Sequence, residues 1–247
     1  MDGNAAARTR RCGAPVAGPA SRDTDRVGRH ARRRIEHRHA LVAIAQLAAD
    51  TVEPVSYASI TAYRAGAPTT VAASSEIAVA VDLAQYEGGA GPCLDALSNE
   101  KPVEVADVAA VMSWPGFRDT ALRLGLHASL SIPLFAASGA PIAALNLYAH
   151  DPEPIAALTR QVWAVYHPGS IARDGPLPTV EEGSKQFLSG IAAAFQTRAV
   201  IQQALGVIMG RQGVSADAAY LHLRMTAVQT GATLVDTATV IIPQQDA

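Results

Sequence analysis

Apolar residues recur at helical spacing through the last sixty residues of the chain. Leu188, Ile191 and Phe195 fall three and four apart, and Ile201, Leu205 and Ile208 resume that spacing after one slip. The pattern predicts one long amphipathic helix whose stripe requires a partner helix. Gly213 sits where a left-handed residue ends a helix, and Ser215 follows as an N-cap with Asp217 in the first turn, where a carboxylate complements the helix dipole. The second helix carries Ala219, Tyr220, Leu223 and Ala227 on one face and stops at Gly231. Thr233 to Asp236 fits a capping box with Asp in place of Glu, so a third helix with Leu234, Ala238 and Ile241 runs to Pro243.

Upstream, the period changes. Residues 40–51 read as a helix with Leu41, Ile44, Leu47 and Ala48 on one side. Residues 55–63 and 68–74 alternate as strands around the turn Arg64-Ala-Gly66, and a helix follows over 76–87. Gly88 to Gly91 then lead into Pro92, which suits the first turn of a helix. A glycine-rich loop at a helix start can hold an anion, yet no Gly-Lys-Ser/Thr ending or Gly-x-Gly-x-x-Gly accompanies it, so a plain structural loop is expected. Residues 101–105, 127–135 and 140–148 read as strands, the last two joined at Ser138-Gly139, with a helix over 115–124. Strands and helices in this order predict an α+β fold: an antiparallel sheet with packed helices, followed by an all-α three-helix module. A further helix starts over 156–165, and three prolines and two glycines in 167–178 predict a break after it. The expected divisions are a basic tail (1–37), a sheet domain (38–160), a Pro/Gly-rich linker (161–184) and the helical module (185–243).

Composition changes this picture little. An apolar content of 49% supports a sizeable core, and with no run of eighteen apolar residues the expectation is a cytoplasmic chain without a membrane span or secretory signal. The net charge of −2 hides an asymmetry, because residues 1–40 hold ten of the 20 basic side chains and only four of the 22 acids. The tail, with Arg32-Arg-Arg34, reads as a solvated segment or as a loose electrostatic arm for a polyanion. Cys12 and Cys93 read as unpaired thiols. His30, His37 and His39 lack a Cys or carboxylate at ligand spacing, so no metal or cofactor is implied.

The C-terminal helices resemble the ANTAR domain, the RNA-binding output module of bacterial antiterminators. Arg198, Ile201, Gln203-Ala204, Gly206-Val-Ile-Met209, Ala218-Ala219-Tyr220, Leu223-Arg224 and Leu234 through Ala238 carry the resemblance. It implies a unit that dimerises through its long helix and binds stem-loops in nascent RNA. Leu205 stands where the family usually has lysine, and only Arg198, Arg211 and Arg224 are basic between 198 and 242. Residues 40–157 are similar to a GAF domain of the kind fused to ANTAR modules in actinobacteria. This second likeness rests on Gly91-Pro-Cys-Leu-Asp-Ala96, Pro102-Val103, Asp107, Trp114-Pro-x-Phe117, Gly125, Ser131-x-Pro-Leu134 and Ala144-Leu-Asn-Leu-Tyr148.

Together the resemblances imply a GAF-ANTAR regulator whose sensor half takes a small molecule or an upstream signalling protein. RNA contact would fall to Arg198, Arg211 and Arg224 on one exposed face, with Tyr220 as a base-stacking side chain. Ligand contact would fall to Tyr86, Cys93, Trp114, Phe117 and Asn146; the plainer expectation is core packing for the aromatics and a backbone partner for Asn146. Cys93 beside a helix N-terminus is either an oxidant-sensing thiol or a buried structural one. No hydrolase, metalloprotease, Walker or kinase signature is present, so an enzyme is not expected. The rival is a dimeric signalling protein without RNA affinity, its sensor taking a small molecule or redox signal. The stripe Leu188, Ile191, Phe195, Ile201 and Leu205 predicts a homodimer through helix 185–211 under both readings.

Overall fold

Five strands form one antiparallel sheet in the order β2-β1-β5-β4-β3: β1 (Tyr57–Arg64), β2 (Ala67–Ala73), β3 (Val103–Val105), β4 (Ala128–Phe135) and β5 (Pro141–Ala149). The computed structural model describes residues 39–136, 138–166 and 176–243, so the basic tail, Cys12 and the middle of the proline-rich segment lie outside the described residues. Side-chain alternation sorts the sheet into two unlike faces. On one, Ile60, Leu145 and Ile132 stand in register across β1, β5 and β4, as do Ala58, Leu147 and Leu130. On the other, the corresponding row is Ser59, Asn146 and Ser131.

The apolar face is covered by α1 (39–51), by α5 (Pro152–Tyr166) and by the first half of α6 (Glu182–Gln212), which brings Leu188 into the same core with Phe187 and Phe195 at its margin. On α1 the observed core face is Leu41, Ala45 and Ala48, continued by Val52 just past its end, while Ile44 and Leu47 are 48% and 61% exposed. Small alanines let this helix lie close to the sheet, and the larger side chains that suggested the other face are turned outward. The polar face lies under α2 (Glu76–Gly88), α3 (Pro92–Asn99) and α4 (Pro115–Arg123).

Both halves of α6 are used within the chain. Its second half buries Ile201, Ala204, Leu205 and Ile208 against Ala219 and Leu223 of α7 (Ala216–Thr230) and Ala238 of α8 (Leu234–Ile241). Each fully buried aliphatic side chain contributes about 1.5–3 kcal/mol, so this small core holds the three helices together. The caps form as the sequence predicts. Ser215 Oγ accepts from the Ala218 amide at 3.3 Å, Gly213 and Gly231 end their helices at φ 66° and 67°, and the Thr233 hydroxyl meets both the Asp236 amide and carboxylate.

The structure departs from the sequence expectations at two places. The stripe expected to meet a partner helix across a homodimer through 185–211 packs on the sheet, α5, α7 and α8 of the same chain, so it no longer argues for a homodimer. The segment expected as a linker over 161–184 is helical at both ends, through Tyr166 and again from Glu182. Among the described residues no helix is long and apolar enough to cross a membrane.

Candidate functional site

The polar row of the sheet is buried and meets polar side chains of α2. Asp82 accepts hydrogen bonds from the Tyr148 hydroxyl at 2.6 Å, the Thr70 hydroxyl at 2.7 Å and Asn146 Nδ2 at 3.2 Å. Asn146 Nδ2 also faces Ser59 Oγ at 3.2 Å and Thr61 Oγ1 at 2.9 Å; with two hydrogens it serves two of the three at once. Tyr86 Oη bridges Thr61 and Thr70 at 2.8 and 3.0 Å. Burial pushes the Asp82 carboxyl up to about 6, with the Tyr148 and Thr70 hydrogen bonds pulling the other way. The same burial raises the Tyr86 hydroxyl. Three polar atoms along this face, Ser129 Oγ, Ser131 Oγ and Asn146 Oδ1, are buried with no partner among the described residues.

Of the five expected ligand residues, the structure gathers Tyr86, Cys93 and Asn146 around this network. Asn146 pairs with side chains, not with the backbone partner expected for it. Cys93 is fully buried, and burial pushes its thiol up, which contradicts the oxidant-sensing reading: the helix start is already used, because Gln85 Oε1 accepts from the Cys93 amide at 2.9 Å. That contact also explains the glycine loop, since a Cβ on Gly91 would fall 2.4 Å from Gln85 Oε1. Phe117 and Trp114 meet edge to face at 6.4 Å in an apolar cluster with Ala78, Val81 and Tyr148, and Phe117 is only 1% exposed. They act as core anchors beside the polar network.

Asp82, Gln85, Thr61, Thr70 and Tyr148 belong to the network without having been expected in it. A signal was present for two of them: Asp82 and Gln85 share the buried side of α2 with Ala78 and Val81, a polar pair on a core face.

The four expected RNA-contact residues do not lie together. Arg211 and Arg224 are exposed, and neither takes part in an ion pair among the described residues. The Arg224 guanidinium stands 6.0 Å from the ring of Tyr220, which itself packs half-buried against the α6–α8 core. Arg198 points elsewhere: its guanidinium stacks on Phe135 at 3.6 Å, donates to the Gly139 carbonyl at 3.1 Å and pairs with Glu100 at 3.5 Å. This corrects the expectation of three guanidinium groups on one exposed face, because the sheet domain offers Arg198 a ring, a carbonyl and a carboxylate at once. Leu205, at the position where the ANTAR resemblance implies lysine, is 2% exposed in the module core and supplies no charge. Among the described residues no group of His, Cys, Asp and Glu is arranged to hold a metal.

No curated protein matches the chain. Solved structures similar to it include a type II free methionine-R-sulfoxide reductase from Thermoplasma acidophilum, at 13% identity over 64% of this chain and 89% of that one, TM-score 0.39. A NreA protein from Staphylococcus aureus, mutated in its nitrate binding site, has 14% identity over 60% and 94%, TM-score 0.37. A GAF domain/HD domain protein from Geobacter sulfurreducens has 9% identity over 67% and 97%, TM-score 0.33. At such scores these likenesses carry no argument about this chain. The family models do: that of the ANTAR domain matches residues 190–242, over α6 to α8, and that of the GAF domain matches 35–165, just over half of the 247 residues. A sheet domain with a buried polar face, joined to a capped three-helix module, thus belongs to the GAF-ANTAR family of regulators.

Proposed function

We propose that this chain is an RNA-binding antitermination regulator of the cytoplasm, in which the GAF domain controls when the ANTAR module grips stem-loops in nascent RNA. The observation that carries the RNA half is the exposed side of the ANTAR helices, where Arg211 and Arg224 are free of acidic partners among the described residues and Arg224 stands over Tyr220. Cations near phosphates supply sequence-independent affinity, and an aromatic face beside a guanidinium suits an unstacked base. The sensor half is supported by the three unpartnered polar atoms on the buried sheet face, which a small polar ligand would satisfy. In this reading the chain binds and signals and does not catalyse, with Asp82 spent on Tyr148, Thr70 and Asn146.

A homodimer is part of the proposal, through a surface other than the covered stripe. Leu221, Met225 and Val228 recur at i, i+4 and i+7 on the outer side of α7 and are 56%, 54% and 82% exposed, opposite the buried Ala219, Leu223 and Ala227. Gel-shift titration against paired RNA hairpins tests the reading: micromolar or tighter binding that falls steeply with salt is expected. Absence of binding at low salt would favour a protein-only signalling dimer.

A further inference from the structure

Arg198 and Gln202 stand one turn apart on α6 and project from one side of it. Both belong to the ANTAR module, and what they meet belongs to the GAF domain. Arg198 is held by Phe135, the Gly139 carbonyl and Glu100. The Gln202 amide lies so close over Gly139 that a Cβ there would fall 2.2 Å from its Nε2, and at φ 95° this turn position is one that side chains rarely adopt. Glu100 is itself fixed: it ends α3 at φ 56°, and its carbonyl accepts from the Tyr166 hydroxyl.

This closed arrangement is incomplete. Arg198 Nε and Gln202 Nε2 are both buried without an acceptor among the described residues, a state that costs free energy which a suitable acceptor would return. A phosphate offers two oxygens to the Nε and terminal N–H of one guanidinium in a matched fork, which the single carbonyl and offset carboxylate do not. A cavity of about 620 Å³ lined by Tyr166, Phe195, Arg198 and Gln202 gives the side chains room to swing outward.

We propose that Arg198 and Gln202 are a phosphate-contacting pair of the ANTAR module, masked by Phe135, Gly139 and Glu100 of the GAF domain in an autoinhibitory contact. Glu100 acts twice, holding the guanidinium and repelling an incoming phosphate. The inference rests on the RNA reading above and adds to it the means of control.

Two measurements on the full chain test it. In nitrogen-15 NMR spectra, the Arg198 Nε–H peak, assigned by its loss in Arg198→Lys, is expected to exchange slowly in the wild type and fast in Phe135→Ala. In anisotropy titrations with a labelled RNA hairpin at low salt, Glu100→Gln and Phe135→Ala are expected to bind about tenfold tighter than the wild type, and adding Arg198→Ala removes the gain. Glu100→Gln alters a half-exposed side chain and keeps the test open should Phe135→Ala misfold. A fast-exchanging wild-type peak overturns the contact. Equal affinity of the wild type and the released variants overturns the masking role alone, and no binding by any of them overturns it together with the RNA reading.

Discussion

The Tyr148 hydroxyl donates to Asp82 across 2.6 Å inside the GAF domain, joining the centre of the sheet to α2. The carboxyl there is raised from 3.8 to about 6 by burial. Because the folded value is the higher, the folded chain holds this proton more tightly than the unfolded chain does. Its stabilising contribution is complete below about pH 3.8 and is lost as pH rises through about 6. The shift corresponds to about 3 kcal/mol in all. Urea unfolding of Asp82→Asn and wild type should therefore show the relative stability of the asparagine variant growing by about 2 kcal/mol from about pH 4.5 to about pH 7.5. Curves that keep a constant separation would show that Asp82 does not titrate in that interval.

Phe117 separates core from ligand platform. Its ring is buried among Ala78, Val81, Ala121 and Tyr148, so Phe117→Ala should cost about 3–5 kcal/mol through the cavity it leaves. Trp114→Ala, at a half-exposed helix cap, should cost less. A Phe117→Ala protein of unchanged melting temperature would return Phe117 to the list of ligand contacts.

Cys93 should be inert. Fully buried, with its thiol raised by burial, it has neither the access nor the thiolate that alkylation needs. In a Cys12→Ser background, iodoacetamide should label the native chain no faster than the chain transiently unfolds, and label it promptly in denaturant. Prompt labelling of the native protein would revive the redox reading.

Light scattering or native mass spectrometry decides the assembly. A mass of two chains is expected, and Val228→Glu on the outer face of α7 should reduce it to one. Leu188→Ala should instead lower stability by about 2–5 kcal/mol at every protein concentration, because Leu188 packs against its own sheet. If Leu188→Ala dissociates the assembly and Val228→Glu does not, the long helix is the interface after all.

Local chemistry made much of this architecture legible. Ser215, Gly213, Thr233 and Asp236 announce the module because capping depends on a few adjacent atoms, and Ser59 to Thr61 or Asn146 to Tyr148 show alternation because a strand has period two. What periodicity does not reveal is which surface an apolar stripe meets. Leu188 and Leu205 lie on one helix, in the two apolar runs on either side of the slip, yet one packs on the sheet and the other on α7 and α8, and both contacts join residues distant in sequence. The setting of Arg198 is hidden for the same reason: Phe135 and Gly139 lie around the β4–β5 connection and Glu100 at the end of α3, and nothing near residue 198 points to them. The prolines and glycines of 167–178 predict a break in the chain, but α6 is fastened laterally by Leu188, Phe187 and Phe195, so a signal need not travel along that segment.

Each phosphate contact releases about one counterion, so the slope of log affinity against log salt counts the cations engaged. Arg211 and Arg224 are exposed and lack acidic partners among the described residues, whereas Arg198 in the closed arrangement is spent on Glu100 and Gly139. Arg211→Ala and Arg224→Ala should therefore each lower the slope by about one for an RNA hairpin, and Arg198→Ala in the otherwise native chain should leave it unchanged. Because Tyr220 lies under Arg224, Tyr220→Leu should weaken binding to a hairpin with an open loop more than to a blunt duplex, as stacking needs an unpaired base. Equal slopes for wild type, Arg211→Ala and Arg224→Ala would place the RNA surface on some other face of the module.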